Sequence, residues 1–288
     1  MQAPPILPAP PSLPTARDPV GGRIWGWIVL LFLMVGYILF ATFKGAGAPT
    51  DQPALSPTVP GLFLDTLLNL SLFGFLFGIG AWAAHPRASD LYADRPITAI
   101  NWLLGLAWSV LLRVAIAIPL ALVTFVLLML HGESGMEKVS GFRPRLENLF
   151  DLSAFADPLY ALLCITWVSF VVAALREELW RAAMLGGIRA ISPASWSRRQ
   201  AEWLGISASS ILFGLAHLTQ GWPSVAMTTL IGFILGIVQV YRRSLAEAVI
   251  AHGFFDATTF ATLAVLANPA ILKRLGLPDD LLQQILNR

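Results

Sequence analysis

The chain has 288 residues, of which 56% are hydrophobic and only 12% are charged, and its formal net charge is +2 at neutral pH. This composition is too apolar for a soluble globular domain and predicts an all-α fold, a polytopic bundle of membrane helices. The small net charge, without a basic stripe interleaved with aromatic residues, argues against nucleic acid as a partner.

The two ends of the chain differ from the apolar middle. Residues 1–22 contain seven of the twenty prolines and few large apolar side chains. Such a composition favours an extended, solvated backbone, so we predict a disordered tail. Residues 278–287 are predicted to form a short amphipathic helix that is too short to cross a bilayer.

Seven apolar stretches between these ends are long enough to cross a bilayer as helices. They cover approximately residues 24–43, 61–84, 97–130, 157–189, 201–219, 222–241 and 245–268. An eighth helix results if the third stretch bends at Pro119. The alternative for the first stretch is a cleaved signal peptide, but its apolar run is longer than the usual core of such a peptide.

The distribution of positive charge predicts the orientation in the membrane. Loops that are cytoplasmic if the N-terminus is cytoplasmic carry most of the arginines. These are Arg17, Arg23, Arg87, Arg95, Arg189, Arg198, Arg199, Arg242 and Arg243. Exceptions are Lys138, Arg143 and Arg145 in a longer external loop and two basic residues after the last stretch. We therefore expect the N-terminus in the cytoplasm.

Two glycine pairs have the Gly-x-x-x-Gly spacing that lets helices approach closely. One pair is Gly74 with Gly78, and the other is Gly232 with Gly236. We interpret both pairs as helix-packing positions.

Ionisable side chains at membrane depth cost on the order of a few kcal/mol unless they are paired or hydrated, so they indicate function by default. Most of them lie in the last four stretches: Arg176, Glu177, Glu178, Arg181, His217, Glu247, His252 and Asp256. Two others, Asp65 and Arg113, are interpreted as an interhelical ion pair. We interpret Glu247, near a predicted helix end, as an interfacial residue.

The remaining charged residues have the chemistry of a hydrolytic site. His217 and His252 are the two histidines within the apolar stretches, and a neutral imidazole binds Zn²⁺ well. A lone histidine is more often a packing residue, but two histidines with acidic residues favour a metal site. His252 and Asp256 are four residues apart and share one helical face. The chain contains no HExxH motif, and a metal-free water held by glutamate and histidine is the alternative.

Three short motifs follow one another in this part of the chain. They consist of Glu177, Glu178 and Arg181, then Phe213 and His217, then His252 and Asp256. In order and separation they resemble the EExxxR, FxxxH and HxxxN/D signature of the CPBP (Abi) family of intramembrane metalloproteases, which includes the type II CAAX prenyl endopeptidases. The resemblance covers roughly residues 155–265.

The resemblance implies an intramembrane endopeptidase that cleaves a membrane-embedded or lipidated peptide or protein, by means of a water activated by glutamate and histidine. It implies Glu177 as the general base, His217 and His252 as ligands of a metal, with Zn²⁺ expected, and Asp256 as a ligand or an orienting residue. Glu178 and Arg181 are expected to be supporting charges within the catalytic group. In an alternative arrangement, Arg181 pairs with Glu177.

The first motif departs from the family pattern, since two residues rather than three separate Glu178 from Arg181. One residue corresponds to about 100° of helical rotation, so Glu177 and Glu178 need a local adjustment such as a π-bulge to take both family roles. The short spacing favours an alternative function, a catalytically inactive scaffold or bacteriocin-immunity-type family member. A third possibility is a proton-coupled carrier, although no inverted repeat is evident.

With this resemblance, we divide the chain into four parts. Residues 1–22 are the tail, residues 23–154 the N-terminal membrane helices and loops, residues 155–268 the protease-like core and residues 269–288 the C-terminal tail. The expected location is the lipid bilayer of a bacterial inner membrane. The sequence leaves the substrate and the oligomeric state open.

Overall fold

The computed structural model describes residues 23–46, 53–132, 134–135, 139 and 144–274. All regular secondary structure in these ranges is helical, which confirms the predicted all-α fold class. The predicted tail of residues 1–22 and the predicted helix of residues 278–287 lie outside the described residues.

The helices follow one another with short connections, apart from the longer segment between the third and fourth α-helices. In chain order they are α1 (Ile24–Ala46), α2 (Val59–Ala84), α3 (Ala99–His131), α4 (Pro158–Leu163), a π-helix (Cys164–Leu175), α5 (Arg176–Ile191), α6 (Arg198–Leu215), α7 (Trp222–Arg242), α8 (Leu245–Leu266) and α9 (Pro269–Arg274). Short 3₁₀ helices include Ala88–Leu91, Leu146–Asn148, Leu152–Ala156 and Leu218–Gln220.

Six helical segments of the described chain are long and apolar enough to cross a membrane, and the chain is an integral membrane protein. They are α1, α2, α3, the continuous run from α4 to α5, α7 and α8. Pro119 lies inside a continuous α3, so the possible eighth helix does not form. The predicted stretch at residues 201–219 corresponds to α6, which is not among the six because its first turns carry Arg198, Arg199 and Glu202.

Local sequence sets the starts of three helices that lead to the charged residues. Asp157 accepts hydrogen bonds from backbone N–H groups in the first turn of α4. Ser197 and Gln200 form a capping box at the start of α6. The Ser244 hydroxyl accepts from the backbone N–H of Glu247 in α8 at 3.2 Å. Each cap satisfies N–H groups that have no partner within the helix, which fixes where the helix begins.

Two apolar clusters hold the helices around the charged residues. The first joins α1 and α2 to α5 and α6, and its aromatic members include Trp27, Trp180 and Phe213. Within it, Trp180 Nε1 donates a hydrogen bond to the carbonyl oxygen of Met34 at 3.0 Å. The second cluster joins α4 and α8 to the segment before α4 and includes Phe150, Phe155, Tyr160 and Phe260. The polar side chains of α5 and α8 meet where Glu178 and His252 form a hydrogen bond.

Candidate active site

The first charged motif begins where the π-helix ends. The Ser169 hydroxyl within the π-helix donates to the carbonyl oxygen of Cys164, five residues earlier, at 2.8 Å. From Arg176 onward the chain is regular α-helix. The π-helix therefore lies before the glutamates, and the motif from Glu177 to Arg181 is itself regular α-helix without the expected bulge.

Glu178 and Arg181 form an ion pair that is completely buried. They are three residues apart in α5, so their side chains lie on one face of the helix. The alternative pairing of Arg181 with Glu177 is not the one observed. Removing two charges from water is unfavourable unless both are well paired, so each residue of this pair requires the other.

Glu178 also connects α5 to α8. Its Oε1 lies 2.9 Å from His252 Nδ1, and a carboxylate oxygen can only accept, so Nδ1–H is the donor. The Glu178 carboxylate therefore binds Arg181 with one oxygen and His252 with the other. This arrangement fixes the rotation of the imidazole ring.

The second nitrogen of His252 faces two further carboxylates. Nε2 lies 3.7 Å from Glu177 Oε2 and 3.5 Å from Asp256 Oδ2. His252 itself is buried. The structure thus brings the carboxylates of Glu177, Glu178 and Asp256 together around the imidazole of His252. Arg181 joins this group through its ion pair with Glu178.

His217 lies beside this group rather than within it. Its Nδ1 is 2.8 Å from the carbonyl oxygen of Phe213. Because a carbonyl only accepts, Nδ1 carries the hydrogen, and in the neutral ring the lone pair is on Nε2. The Phe213 ring packs edge-on against both imidazoles, with centroid distances of 4.9 Å to His217 and 6.1 Å to His252.

The residues after His217 are attached to the segment that precedes α4. Asn148 Nδ2 donates to the carbonyl oxygen of Thr219 at 2.6 Å, and the Arg145 backbone N–H donates to the carbonyl oxygen of Gln220 at 3.0 Å. These bonds hold the end of α6, and with it His217, against the second apolar cluster.

The segment that contains these residues is similar to a known protein family. Residues 158–258 match the family model of the Rce1-like type II CAAX prenyl endopeptidases. This segment is Rce1-like. The match confirms the resemblance inferred from the three motifs and includes all six predicted site residues. No curated protein and no solved structure matches the chain.

The predicted metal ligands do not converge in the Rce1-like segment. Among the residues that the structure describes, no three His, Cys, Asp or Glu side chains are placed to hold a metal ion. Both nitrogens of His252 face carboxylates, and His217 Nδ1 faces a carbonyl. The set of His217, His252 and Asp256 does not fit Zn²⁺ in this arrangement, and Zn²⁺ stays a prediction from the sequence.

Helices outside the Rce1-like segment contribute contacts that the sequence did not reveal. Arg176 Nη2 donates to Glu177 Oε1, and Arg176 Nη1 donates to Asn69 Oδ1 in α2, each at 2.5 Å. The Tyr37 hydroxyl in α1 donates to the same Asn69 oxygen at 2.8 Å. Glu177 therefore has one oxygen on Arg176 and the other toward His252. The sequence feature that could have indicated these contacts is Asn69, a polar amide within an apolar stretch.

The predicted ion pair between Asp65 and Arg113 is wrong. Asp65 accepts from the backbone N–H of Ser56 at 2.9 Å. Arg113 lies over the Phe255 ring at 4.7 Å and donates to the Thr258 hydroxyl in α8. Asp65 thus has a partner close by in the chain, whereas Arg113 lies next to the turn of α8 that carries Asp256.

Glu247 lies in the first turn of α8, near a helix end as expected, and its side chain is buried. Its carboxylate accepts from Asn101 Nδ2 at 3.0 Å and from Arg242 Nε at 2.9 Å. These bonds join the starts of α3 and α8 at the end of α7. The role of Glu247 is therefore to connect helices outside the charged group around His252.

Proposed function

We propose that the protein is an intramembrane endopeptidase that hydrolyses a peptide bond in a membrane-embedded or prenylated peptide or protein. The observation that carries the proposal is the His252 imidazole between three carboxylates within the Rce1-like segment. Carboxylates close to an imidazole are the components of general acid and base catalysis.

Glu177 is the proposed general base. One of its oxygens is paired with Arg176, and the other is directed toward His252. A water molecule between Glu177 and His217 Nε2 would donate to both groups. Glu177 takes a proton from this water while the water oxygen attacks the carbonyl carbon of the scissile bond.

The following steps complete the hydrolysis. Attack forms a C–O bond and converts the carbonyl oxygen into an oxyanion, toward which a proton on His252 Nε2 can be directed. Glu177 then gives its proton to the amide nitrogen, and the C–N bond breaks to leave a carboxylic acid and an amine. Every proton in this scheme comes from the water.

Glu178, Arg181 and Asp256 are the proposed positioning residues. Glu178 binds His252 Nδ1, so that Nε2 is directed toward the reacting groups. Arg181 balances the charge of Glu178 inside the protein. Asp256 lies one helical turn from His252 and faces the same nitrogen as Glu177. In hydrolytic triads, too, a carboxylate orients the histidine by accepting a hydrogen bond from its Nδ1–H group.

The proposed substrates follow from the surroundings of the site. Its acidic residues and His252 lie on helical segments long and apolar enough to cross a membrane, so a peptide reaches them most directly from the bilayer. A lipid-modified or membrane-embedded peptide partitions into the bilayer and can therefore reach the site by this route. The prenyl substrates named in the description of the Rce1-like family support the same class.

The test is turnover of a fluorogenic prenylated peptide by the detergent-purified protein. We expect cleavage by the wild type and a loss of about a hundredfold or more in kcat for Glu177→Gln and for His217→Ala, since each removes one proposed proton-handling group. Glu147→Gln, which changes an exposed carboxylate before α4, should retain wild-type turnover. Equal turnover in all four proteins would refute the assignment.

A catalytically inactive membrane scaffold is the second candidate function. The short spacing between Glu178 and Arg181 is the observation that favours it. The scaffold assignment predicts no turnover by the wild type with any prenylated or membrane-embedded peptide, while the thermal unfolding midpoint of Glu177→Gln stays at or above that of the wild type.

A further inference from the structure

The two Gly-x-x-x-Gly pairs have different surroundings. A methyl group at Gly74 or Gly78 in α2 would have no other part of the described chain within 4 Å. A methyl group at Gly232 in α7 would lie 3.0 Å from the Phe213 ring and 3.3 Å from Arg181 Nη2. The packing interpretation is therefore confirmed only for the pair in α7, and there the side chain of Arg181 is one of the neighbours.

Gly236 lies beside the same side chain, at a distance where an added methyl group would make an ordinary contact with Arg181. A methyl group there would lie 3.2 Å from Ile206 in α6 and 3.7 Å from Arg181 Cδ. Gly232 and Gly236 are four residues apart and lie on one face of α7. We refer to Gly232 and Gly236 as the glycine seat.

Gln239 extends the same face by about one turn of α7. Its Nε2 donates to the backbone carbonyl oxygen of Glu178 at 3.5 Å. The face of α7 that contains the glycine seat therefore touches both members of the buried ion pair, Arg181 through the glycines and Glu178 through Gln239.

Arg181 has little freedom to move away from an added atom. Its side chain has no exposed surface, and its guanidinium lies 5.0 Å from the centre of the Phe213 ring. In a closely packed interior, a methyl group that intrudes by a few tenths of an ångström displaces its neighbour. Displacement of Arg181 would in turn release the Glu178 carboxylate that orients His252.

We infer that the glycine seat positions Arg181 so that Glu178 aims at His252 Nδ1. Gly232 and Gly236 are thus positioning residues for the proposed hydrolysis, and the inference rests on that proposed function. The glycine seat is also consistent with the short first motif, since it lies next to an arginine that only two residues separate from Glu178.

The central test is Gly232→Ala, assayed with the fluorogenic prenylated peptide. We expect kcat to fall by about tenfold to a hundredfold, with KM nearly unchanged, because a misaligned catalytic group lowers the rate without removing substrate contacts. The matched controls Gly74→Ala and Gly78→Ala alter the same motif in α2 and should keep wild-type kcat. Gly205→Ala, which crowds Leu185, controls for packing between helices and should leave kcat unchanged.

A double-mutant cycle separates positioning from packing. Arg181→Lys removes Nη2, the guanidinium atom nearest to the methyl group in Gly232→Ala. In the Arg181→Lys background we expect Gly232→Ala to change kcat by less than about twofold, since coupled residues give non-additive effects. Wild-type kcat in Gly232→Ala, or the same fold loss in both backgrounds, would overturn the inference.

The same cycle is measured on the thermal unfolding midpoint in detergent, which does not require turnover. There, too, we expect a smaller shift from Gly232→Ala when residue 181 is lysine, and additive shifts would contradict the seat. A wild type without activity but with non-additive midpoints would reject the proposed hydrolysis and retain the contact between Gly232 and Arg181. The two failures are therefore distinguishable.

Discussion

Glu178 Oε1 lies 2.9 Å from His252 Nδ1, and this contact joins the first and third motifs of the Rce1-like segment. The other oxygen of Glu178 binds Arg181. One carboxylate thus links a buried cation to a buried imidazole. The orientation of His252 depends on a charge balance that is set within α5.

The first prediction concerns the cost of breaking this balance. Arg181→Met leaves Glu178 as an uncompensated buried charge, and we expect it to lower the free energy of unfolding by about 3–5 kcal/mol. The double variant Glu178→Leu/Arg181→Met should be less destabilised than the sum of its single variants, because it buries no unpaired charge. Chemical unfolding in detergent measures both effects.

The control for this prediction is a partly exposed pair of similar chemistry. Arg198 Nε and Glu202 Oε1 are 2.7 Å apart at the start of α6, and the Arg198 side chain is 35% exposed. Arg198→Met should cost at most about 1 kcal/mol, since solvent screens such pairs. If Arg181→Met lowers the free energy of unfolding by no more than Arg198→Met does, burial does not determine the cost of breaking the ion pair.

The second prediction concerns the helices outside the Rce1-like segment. Asn69 Oδ1 accepts from both the Tyr37 hydroxyl and Arg176. Asn69→Leu removes this shared acceptor and frees Arg176, so we expect kcat to fall by about tenfold. Tyr37→Phe leaves the amide and Arg176 in contact and should lower kcat by about threefold or less.

Turnover of the prenylated peptide and the unfolding midpoint are compared for both variants. Tyr241→Phe, which alters an exposed tyrosine in α7, is the control for loss of a hydroxyl. If Asn69→Leu keeps wild-type kcat while its midpoint falls, α1 and α2 support the fold but do not position Glu177.

Part of this arrangement was predictable from sequence because it depends on local pattern. The length and hydropathy of the apolar stretches predicted the membrane helices, and the order of the three motifs identified Glu177, Glu178, His217, His252 and Asp256. The exception is the stretch at residues 201–219. Its serines and charged first turn lower the hydropathy of α6 although the helix itself forms.

The pairing of charges could not be read from sequence. Glu177 and Glu178 are adjacent and chemically identical, and what distinguishes them is the hydrogen bond of Glu178 to His252 in α8 and that of Arg176, the partner of Glu177, to Asn69 in α2. Likewise, Arg113 faces α8 rather than Asp65 because of how α3 packs. Such choices depend on contacts between residues far apart in the chain, which spacing does not encode.

The third prediction concerns the metal. The sequence predicts Zn²⁺, with His217, His252 and Asp256 as its expected ligands. If these residues bind Zn²⁺ as the sequence predicts, the wild type holds about one zinc per chain and His217→Ala/His252→Ala loses it, since neutral imidazoles are strong zinc ligands. The observed arrangement, in which both His252 nitrogens face carboxylates, predicts instead no stoichiometric zinc in either protein. Elemental analysis of the purified proteins measures this directly, and a zinc that is present in the wild type and absent from the double variant would overturn the arrangement as a metal-free site.

The last prediction concerns pH and Tyr92, which lies between α2 and α3 outside the membrane-spanning helices. Burial raises the pKa of the Tyr92 hydroxyl above its ordinary value of 10, while the nearby Arg189 guanidinium acts in the opposite direction. The folded protein therefore favours the neutral phenol. The stability associated with this group is fully present below the pKa of the unfolded chain and is lost as the pH rises toward the folded pKa.

Tyr92→Phe removes the ionisable group and should abolish this loss. The hydroxyl of Tyr92 is buried without a hydrogen-bond partner among the described residues, so the variant should be as stable as the wild type, or more so, at neutral pH. Below about pH 9 the unfolding midpoints of the wild type and Tyr92→Phe should run parallel, and above about pH 10 the midpoint of the wild type should fall relative to that of Tyr92→Phe. Tyr241→Phe should show no such divergence, because an exposed hydroxyl is hydrated in both states, and parallel midpoints for all three proteins would contradict the prediction.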